Sequence, residues 1–323
     1  MNCLHYMKRE KSGLAFTTLE LVKAEEQQGH RVCLREPSDA EGLGPGAVLY
    51  GDPTLVPDVE FIHSQMPRTS WATRTPKFLW MHGEPLSSVG NGISMRAIVD
   101  MAPKMDAFLA MRQEEQAIWS SIKRTYVVPK GIDLERFFPM DIAPHADDDP
   151  LSKLSGEPAV LYCEHWRGSR NPLYWCVAME QVFRTNPKAR LHLFNCQDKK
   201  MYDTFTALHR HNKWSTFLRT INGPVPDAEV NRLYNRADIV VSGLYPLYAR
   251  SIEAFGAGKA FIGPGYEDPE YPWHCTMHPD SMAQAIQDCW AGYHLVDYRA
   301  WAEKKHNVQD TVRQVMAIVQ RYQ

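Results

Sequence analysis

The chain has 323 residues, of which 44% are hydrophobic and 23% are charged, and its formal net charge at pH 7 is −2. This length fits two compact domains of about 150 residues each, and two domains imply a cleft. The balanced charge argues against a protein dedicated to coating nucleic acid or an acidic membrane surface. No apolar run approaches the roughly 20 residues that a membrane-spanning helix needs.

The N-terminus and the cysteines indicate the cellular compartment. Lys8 and Arg9 follow a very short apolar segment, which is the reverse of a secretory signal. The seven cysteines are scattered and include no Cys-x-x-Cys pair. We therefore expect a cytoplasmic protein with free thiols, most of them buried.

Short apolar strand candidates alternate with helical segments in the first half of the chain, which predicts a parallel sheet with helices on both faces. The strand candidates are residues 3–7, 31–34, 47–50, 60–63, 77–81, 107–110 and 126–128. After the first of them, Ala15, Leu19 and Val22 share one helical face. Gly29 stands where the end of that helix favours a positive φ. The loop at residues 8–13 opens at the carboxyl end of the first strand, where open α/β sheets bind ligands.

A change in composition then marks a linker at residues 139–158, which is rich in Pro, Asp, Ser and Gly. The alternation restarts after it, with strands at 160–163, 190–194, 218–221, 239–241 and 260–262. The helices between these strands are predicted at 172–184, 200–209, 227–236 and 251–257. The tail from residue 297 to 323 is predicted to be one amphipathic helix. This order predicts a second doubly wound domain.

The segment 222–262 carries the clearest functional signal, because it runs through a turn, a helix, a strand, a second helix and a second strand. The first of these strands ends in Ser242-Gly243 and leads into a helix, which places backbone N–H groups where anions bind well. Glu253 lies at the predicted head of that helix, where its carboxylate can accept hydrogen bonds from a ribose. Alternatively, Glu253 only complements the helix dipole, which is worth about 0.3 to 1 kcal/mol.

Four separated segments carry a family resemblance. Val127–Pro139 reads V-V-P-K-G-I-D-L-E-R-F-F-P and resembles the interdomain segment V-I-P-N-G-V-D-x-x-x-F-x-P of the retaining GT-B glycosyltransferases. Residues 223–242 resemble the G-x-V-x-D…Y-x-x-A-D-[VI]-x-[VL]-x-P-S approach to their donor site. Ser251–Ile262 is similar to L-E-A-x-A-x-G-x-P-V-I, and Ser12-Gly13 with Gly29–Val32 resembles the opening G-G-x-E…G-H-x-V. The segments occur in the family's order over nearly the whole chain.

The resemblance implies an α/β fold of two doubly wound Rossmann-like domains that face each other across a cleft. It implies an acceptor-binding domain at residues 1–138, a linker at 139–158, and a donor-nucleotide domain at 159–300. A C-terminal helix at 301–323 is expected to pack back toward the first domain. The implied activity is transfer of a sugar, with retention, from a nucleotide-diphosphate donor to a hydroxyl group. UDP-sugar is the favoured donor, and no cofactor or metal is expected.

Two departures from the family pattern concern the donor site. The family places two glutamates eight positions apart; Glu253 matches the second, and Tyr245 replaces the first, which contacts the donor sugar. In the loop after the first strand of the second domain, the family grips the diphosphate with an Arg and a Lys. Arg170 stands at the Lys position, and His165 stands at the Arg position with Arg167 close enough to substitute.

The candidate site residues follow from these matches. The developing phosphate charge calls for guanidinium groups, and the alternative for each arginine is a solvated surface side chain. His82 ends a hydrophobic strand and is either a site residue or a structural histidine, and Gly13 either admits the donor phosphate or is an ordinary loop glycine. The catalytic set is His82, Arg167 and Arg170, and the nucleotide-binding set is Gly13, Tyr245, Arg250, Ser251 and Glu253.

The acceptor is expected to bind loops of the first domain that carry basic and aromatic side chains, namely Lys8, Arg9, Lys11, Arg68, Trp71, Arg74 and Lys77. Such a set suits an anionic glycan or small molecule, a hydroxymethylated base in DNA, or only a solvated rim. Residues 1–150 hold 16 Lys and Arg against 21 Asp and Glu, a net of −5, so any DNA groove is narrow. The alternatives to a transferase are a sugar-nucleotide epimerase and a non-catalytic sugar-nucleotide-binding subunit. Oligomeric state is left open.

Overall fold

The computed structural model describes residues 1–7, 13–36, 46–63, 74–81, 95–141, 154–162, 172–194, 203, 207, 215–219, 227–243, 248–264, 266 and 268–323. They divide into two compact units. The first consists of Met1–Asp133 together with Lys305–Gln323, and the second of Leu134–Lys304.

The first unit is built on a seven-stranded sheet in the order β3-β2-β1-β4-β5-β6-β7. Its strands are β1 (Asn2–Tyr6), β2 (Arg31–Arg35), β3 (Val48–Gly51), β4 (Val59–Ile62), β5 (Lys77–Trp80), β6 (Ala107–Ala110) and β7 (Thr125–Val127). All neighbouring strands are parallel except β2 and β3, which are antiparallel. The helices are α1 (Gly13–Gln27), α2 (Met95–Met101) and α3 (Gln113–Trp119), and a 3₁₀ turn follows α2 at Ala102–Lys104.

Alternate residues of the central strands enter cores on opposite faces of this sheet, as a doubly wound fold requires. Cys3 and Phe61 pack with Leu21 and Val22 of α1 on one face. Leu4, Ile62, Leu79 and Phe108 pack with Ile98 of α2 and Trp119 of α3 on the other. The strands are buried on both faces, which is why they read as continuous apolar runs.

Gly29 confirms the predicted end of α1. Its φ is +83°, and its N–H bonds to the carbonyl of Glu26 at 2.9 Å while the N–H of His30 reaches the carbonyl of Glu25 at 3.1 Å. This pair of bonds is the Schellman motif, in which the residue after the helix adopts the left-handed conformation that glycine tolerates best.

The second unit has a five-stranded, all-parallel sheet in the order β10-β9-β8-β11-β12. Its strands are β8 (Ala159–Tyr162), β9 (Arg190–Phe194), β10 (Ser215–Arg219), β11 (Ile239–Val241) and β12 (Ala260–Ile262). Its helices are α4 (Leu173–Thr185), α5 (Asp227–Arg236), α6 (Tyr248–Gly256), α7 (Pro279–Ala291) and α8 (Tyr298–Lys305), with a 3₁₀ turn at Tyr293–Leu295. The final helix, α9 (Val308–Val319), packs on the first unit against α1.

The expected single helix over residues 297–323 is wrong, because the chain forms α8 and α9 with a break between them. Asn307 starts the second helix, and its side-chain oxygen accepts a hydrogen bond from the N–H of Gln309 at 2.9 Å. At the break, Ile132 pairs with Asn307 as a short parallel bridge. An N-cap asparagine of this kind satisfies a free N–H group of the first turn and so favours the start of a new helix here.

The compact units divide the chain at other positions than the predicted domains of 1–138 and 159–300 with their linker at 139–158, since the second unit begins at Leu134. Phe137 is fully buried in the core of the second unit. The side chain of Asn235 also donates to the carbonyl of Phe138 at 2.9 Å. The return to the first unit comes at Lys305 and not at residue 301. Core burial, which composition does not reveal, decides both boundaries.

Other predicted elements differ in detail. The strand expected at 218–221 is Ser215–Arg219, and the helix expected at 251–257 begins at Tyr248. β3 is antiparallel at the sheet edge, where the expectation was parallel. Most of the helix expected at 200–209 lies outside the described residues.

Among the described helices, none is both long and apolar enough to cross a bilayer. Of the described cysteines, Cys3, Cys33, Cys176 and Cys289 are buried free thiols and Cys275 is half-buried, as the sequence predicts. Burial raises the pKa of the Cys275 and Cys289 thiols to about 12, so these thiols are protonated and unreactive at neutral pH.

Candidate functional site

The order of the second sheet reverses between β8 and β11, and ligands of open α/β sheets bind at the carboxyl ends of strands on either side of such a reversal. Ser242 and Gly243 lie at this edge, directly after β11. The N–H of Ser242 bonds to the carbonyl of Ile262 at 3.2 Å, and the indole N–H of the buried Trp175 donates to the carbonyl of Ser242. These bonds fix the backbone at the point where the chain leaves the strand.

Helix α6 follows β11 and carries Glu253. Ile252, Ala254 and Phe255 are buried, whereas Glu253 is half-buried. The apolar neighbours therefore hold the helix on the sheet while the carboxylate stays reachable from solvent. Because the helix begins at Tyr248, Glu253 lies in its second turn and not at its head. The interaction of Glu253 with the helix dipole is correspondingly weak, since that effect fades within the first turn.

The carboxylate of Glu253 has a defined partner on the preceding helix. The hydroxyl of Tyr234, on α5, donates to Oε2 of Glu253 at 2.9 Å. Tyr234 itself is fully buried. A phenol that donates to a carboxylate makes a charge-assisted bond, which is stronger than a bond between neutral groups.

Asp238, the acid of the Ala237-Asp238 motif, has a structural role at the opposite edge of the sheet. One of its carboxylate oxygens accepts from the N–H of Ala159 at 2.8 Å, which joins the start of β11 to the start of β8. Burial raises the pKa of Asp238 above its usual value. The motif therefore helps to build the sheet and does not supply a ligand contact at the carboxyl edge.

The structure describes only part of the remaining predicted site residues. Arg250 and Ser251 belong to the first turns of α6, the same helix as Glu253, and Gly13 is the first residue of α1 after β1. The side chains of Arg250 and Ser251 lie outside the described part of the structure. The same holds for the whole of His82, Arg167, Arg170 and Tyr245. Their roles stay predictions.

Sequence reasoning missed a buried polar chain in the first unit. The Nε2 atom of His5 lies 2.7 Å from Oε2 of Glu25, and the Nδ1 atom of His5 lies 2.9 Å from Nε2 of His63. All three side chains are at most 2% exposed. His5 belongs to β1 and His63 follows β4. These hydrogen-bonded side chains therefore lie at the point where the strand order of the first sheet reverses. The sequence contains one indication of these buried polar contacts. Glu25 is an acid on the same apolar face of α1 as Leu21 and Val22.

A small cavity also lies in the first unit at the carboxyl ends of β5, β6 and β7. Its lining comes from these ends, from α1, and from the start of α9; it consists of Thr17, Thr18, Leu21, Trp80, Met111, Lys130, Gly131, Val308 and Thr311. A Cβ atom on Gly131 would lie 2.4 Å from the Cα of Val308. The glycine of the V-V-P-K-G segment therefore permits the close approach of this segment to α9.

Within the described ranges, no three His, Cys, Asp or Glu side chains cluster as metal ligands.

Comparisons with known proteins find likeness in structure only. No protein-family model matches the chain, and no curated protein matches it in sequence. Among solved structures, a glycosyltransferase from Rickettsia africae superposes with a TM-score of 0.70 at 13% identity, covering 99% of this chain and 98% of that one. Anabaena HepE in complex with UDP-glucose gives 0.65 at 14% identity over 99% and 100% of the two chains. The catalytic domain of Arabidopsis thaliana starch synthase IV, bound to ADP and acarbose, gives 0.65 at 11% identity over 99% of each chain. This chain therefore has the GT-B fold of these glycosyltransferases, built from two Rossmann-like units.

Proposed function

We propose that this protein is a glycosyltransferase that moves a sugar from a nucleotide-diphosphate donor, with UDP-sugar favoured, to a hydroxyl acceptor with retention at the anomeric carbon. The observation that carries the proposal is the half-buried Glu253 of α6, the helix that follows the carboxyl end of β11, with the hydroxyl of Tyr234 bonded to its carboxylate. A carboxylate at this place accepts hydrogen bonds from the two hydroxyls of a ribose. Fold likeness over nearly the full length of glycosyltransferases supports it.

The proposed reaction breaks the bond between the anomeric carbon and the β-phosphate oxygen and forms a bond from that carbon to the acceptor oxygen. The proton of the acceptor hydroxyl passes to the leaving diphosphate. The protein must then stabilise negative charge that develops on the phosphate. We assign this task to Arg167 and Arg170, with Arg250 and the N–H groups at the start of α6 as further donors.

In the same proposal, His82 hydrogen-bonds the donor sugar or the acceptor hydroxyl, and Gly13 lets the start of α1 approach the donor phosphate. Tyr245 and Ser251 line the sugar and phosphate pocket. Tyr245 replaces the family's first glutamate, which contacts the donor sugar. The site residues therefore predict the nucleotide part of the donor but do not predict which sugar it carries. No metal ion takes part in the proposed chemistry, since the arginines supply the positive charge.

Nucleotide binding is the first test. UDP, ADP and GDP are added to the protein, and thermal unfolding and calorimetric titration are followed. We expect UDP to bind and to raise the melting temperature, because a ligand at 100 times its Kd stabilises the folded state by about 2.7 kcal/mol. Glu253→Ala and Arg170→Ala should each weaken binding roughly 10- to 100-fold, the effect of losing a hydrogen bond to a charged group.

Glu180→Ala and Arg184→Ala provide matched controls, since these two residues form an exposed pair on α4. Both should leave nucleotide affinity unchanged. If Glu253→Ala and Arg170→Ala bind UDP as tightly as the wild type, the donor site is misplaced.

Turnover measurements distinguish a transferase from an epimerase and from a non-catalytic subunit. UDP-glucose is incubated without acceptor, then with glycans, small alcohols and hydroxymethylated DNA, and released UDP is measured. Slow hydrolysis that an acceptor accelerates supports the transferase, and proton NMR of the product then reports whether the anomeric configuration is retained. Conversion of the free sugar nucleotide to its epimer would indicate an epimerase. Binding without turnover of any donor would indicate a non-catalytic subunit.

A further inference from the structure

Tyr234 combines a rigid apolar body with one polar atom placed at the candidate site. Its side chain is fully buried, and its ring packs against Phe137 with a centroid separation of 6.0 Å. Its hydroxyl donates to Oε2 of Glu253 at 2.9 Å. Only two torsions define a tyrosine side chain, and core packing fixes both. The hydroxyl is therefore held in place before any ligand arrives.

Glu253 needs such a partner. A glutamate side chain loses conformational entropy when it is fixed in one arrangement. If that ordering happened only when the nucleotide binds, it would weaken binding by the same amount. The Tyr234 hydroxyl orders the carboxylate in advance. Because the phenol only donates in this bond, the carboxylate keeps further lone pairs that can accept hydrogen bonds from ribose hydroxyls.

We propose that Tyr234 is a positioning residue for the nucleotide: it holds the Glu253 carboxylate in the orientation that accepts hydrogen bonds from the ribose. This inference rests on the proposed function. A purely structural role, in which the bond only joins α5 to α6, makes a different prediction. A structural bond would affect all ligands of the unit equally, whereas positioning affects only ligands that carry ribose hydroxyls.

The test uses Tyr234→Phe in the full chain, with UDP and 2′,3′-dideoxyuridine diphosphate as probes in calorimetric titrations. Loss of the hydroxyl should weaken UDP binding roughly tenfold. The dideoxy nucleotide, which has no ribose hydroxyls, should lose less than twofold. In a Glu253→Ala background, adding Tyr234→Phe should change UDP affinity by less than twofold.

Tyr298→Phe is the matched control, because it removes another buried tyrosine hydroxyl from the same unit, one that accepts from the indole N–H of Trp273 at 3.1 Å. It should leave both affinities unchanged. Glu253→Asp offers a second variant that leaves the core intact. It keeps the charge but withdraws the carboxylate from Tyr234 as well as from the ribose, so adding Tyr234→Phe to this variant should change UDP affinity by less than twofold.

Equal losses for UDP and the dideoxy nucleotide in Tyr234→Phe would overturn the inference in favour of a structural role. Unchanged UDP binding in that variant would overturn it as well. Either result leaves the proposed function standing, provided that the wild type binds UDP. A wild-type protein that binds none of UDP, ADP and GDP would instead refute the proposed function, and the inference with it.

Discussion

His192 shows how the burial of one residue sets a pH response. It lies on β9 with no exposed surface, and its Nε2 atom is 2.6 Å from the carbonyl oxygen of Ser155. Because a carbonyl oxygen can only accept, Nε2 carries the proton, which leaves Nδ1 as a buried atom without a hydrogen-bond partner among the described residues. Burial lowers the pKa of His192 from 6.5 to about 4.

The lowered pKa predicts acid destabilisation of the second unit. Above pH 6.5 His192 is neutral in both folded and unfolded states, and its contribution is complete. As the pH falls from 6.5 toward 4, only the unfolded state takes up the proton, so the free energy of unfolding falls by roughly 2 to 3 kcal/mol. We expect His192→Gln to lose less stability between pH 7.5 and pH 4.5 in urea unfolding. His294→Gln, at an exposed histidine of the same unit, should behave as the wild type. An equal acid loss in His192→Gln would contradict the assignment.

At the scale of elements, Arg299 of α8 joins segments that are distant in sequence. Its Nη1 atom donates to the carbonyls of Leu134, Phe137 and Gly256 at 3.1, 2.8 and 2.9 Å. The first two belong to the segment that opens the second unit, and Gly256 is the last residue of α6. One guanidinium thus satisfies carbonyls of an irregular segment and of a helix end, which have no partners within their own elements.

Arg299→Met should therefore destabilise the second unit by about 2 kcal/mol, because bonds from a charged donor are lost while water reaches the half-buried carbonyls. Denaturant unfolding of the variant measures the loss. Arg184→Met is the matched control, since Arg184 makes only an exposed i,i+4 pair with Glu180, and such pairs contribute about 0.3 to 0.5 kcal/mol. Similar losses in the two variants would show that the carbonyl contacts do not stabilise the unit.

At the scale of the whole molecule, the first unit needs both ends of the chain. The buried face of α9 packs into its core and consists of Val308, Val312, Val315, Met316, Ile318 and Val319. Burial of an apolar side chain of this size contributes roughly 1.5 to 3 kcal/mol, so the helix contributes on the order of 10 kcal/mol. That equals the whole stability of a typical domain, which is about 5 to 15 kcal/mol.

A chain that ends at Lys304 should therefore lose the first unit and keep the second. Limited proteolysis with mass spectrometry should show residues 1–133 digested and residues 134–304 protected. Val315→Asp, at a fully buried position of α9, should act like the truncation, whereas Gln314→Asp, at an exposed position on the same helix, should have little effect. Protection of residues 1–133 without α9 would show that the helix is dispensable.

The alternation of strands and helices could be predicted from the amino-acid sequence, because strands buried on both faces are continuously apolar and a glycine such as Gly29 favours the end of a helix. The sequence also singled out Glu253, through its place in a segment that resembles the donor site of known glycosyltransferases. These signals are local, and a local pattern is enough to read them.

Features that depend on contacts between distant parts of the chain could not be predicted in this way and became known from the folded structure. Phe137 belongs to the second unit because it is buried there, and Asn307 separates two helices that share one amphipathic pattern. Nothing in the spacing of Tyr234 and Glu253 says that the hydroxyl of one meets the carboxylate of the other. Hydrogen bonds and core burial between elements arise from packing in three dimensions, and a one-dimensional pattern does not contain that information.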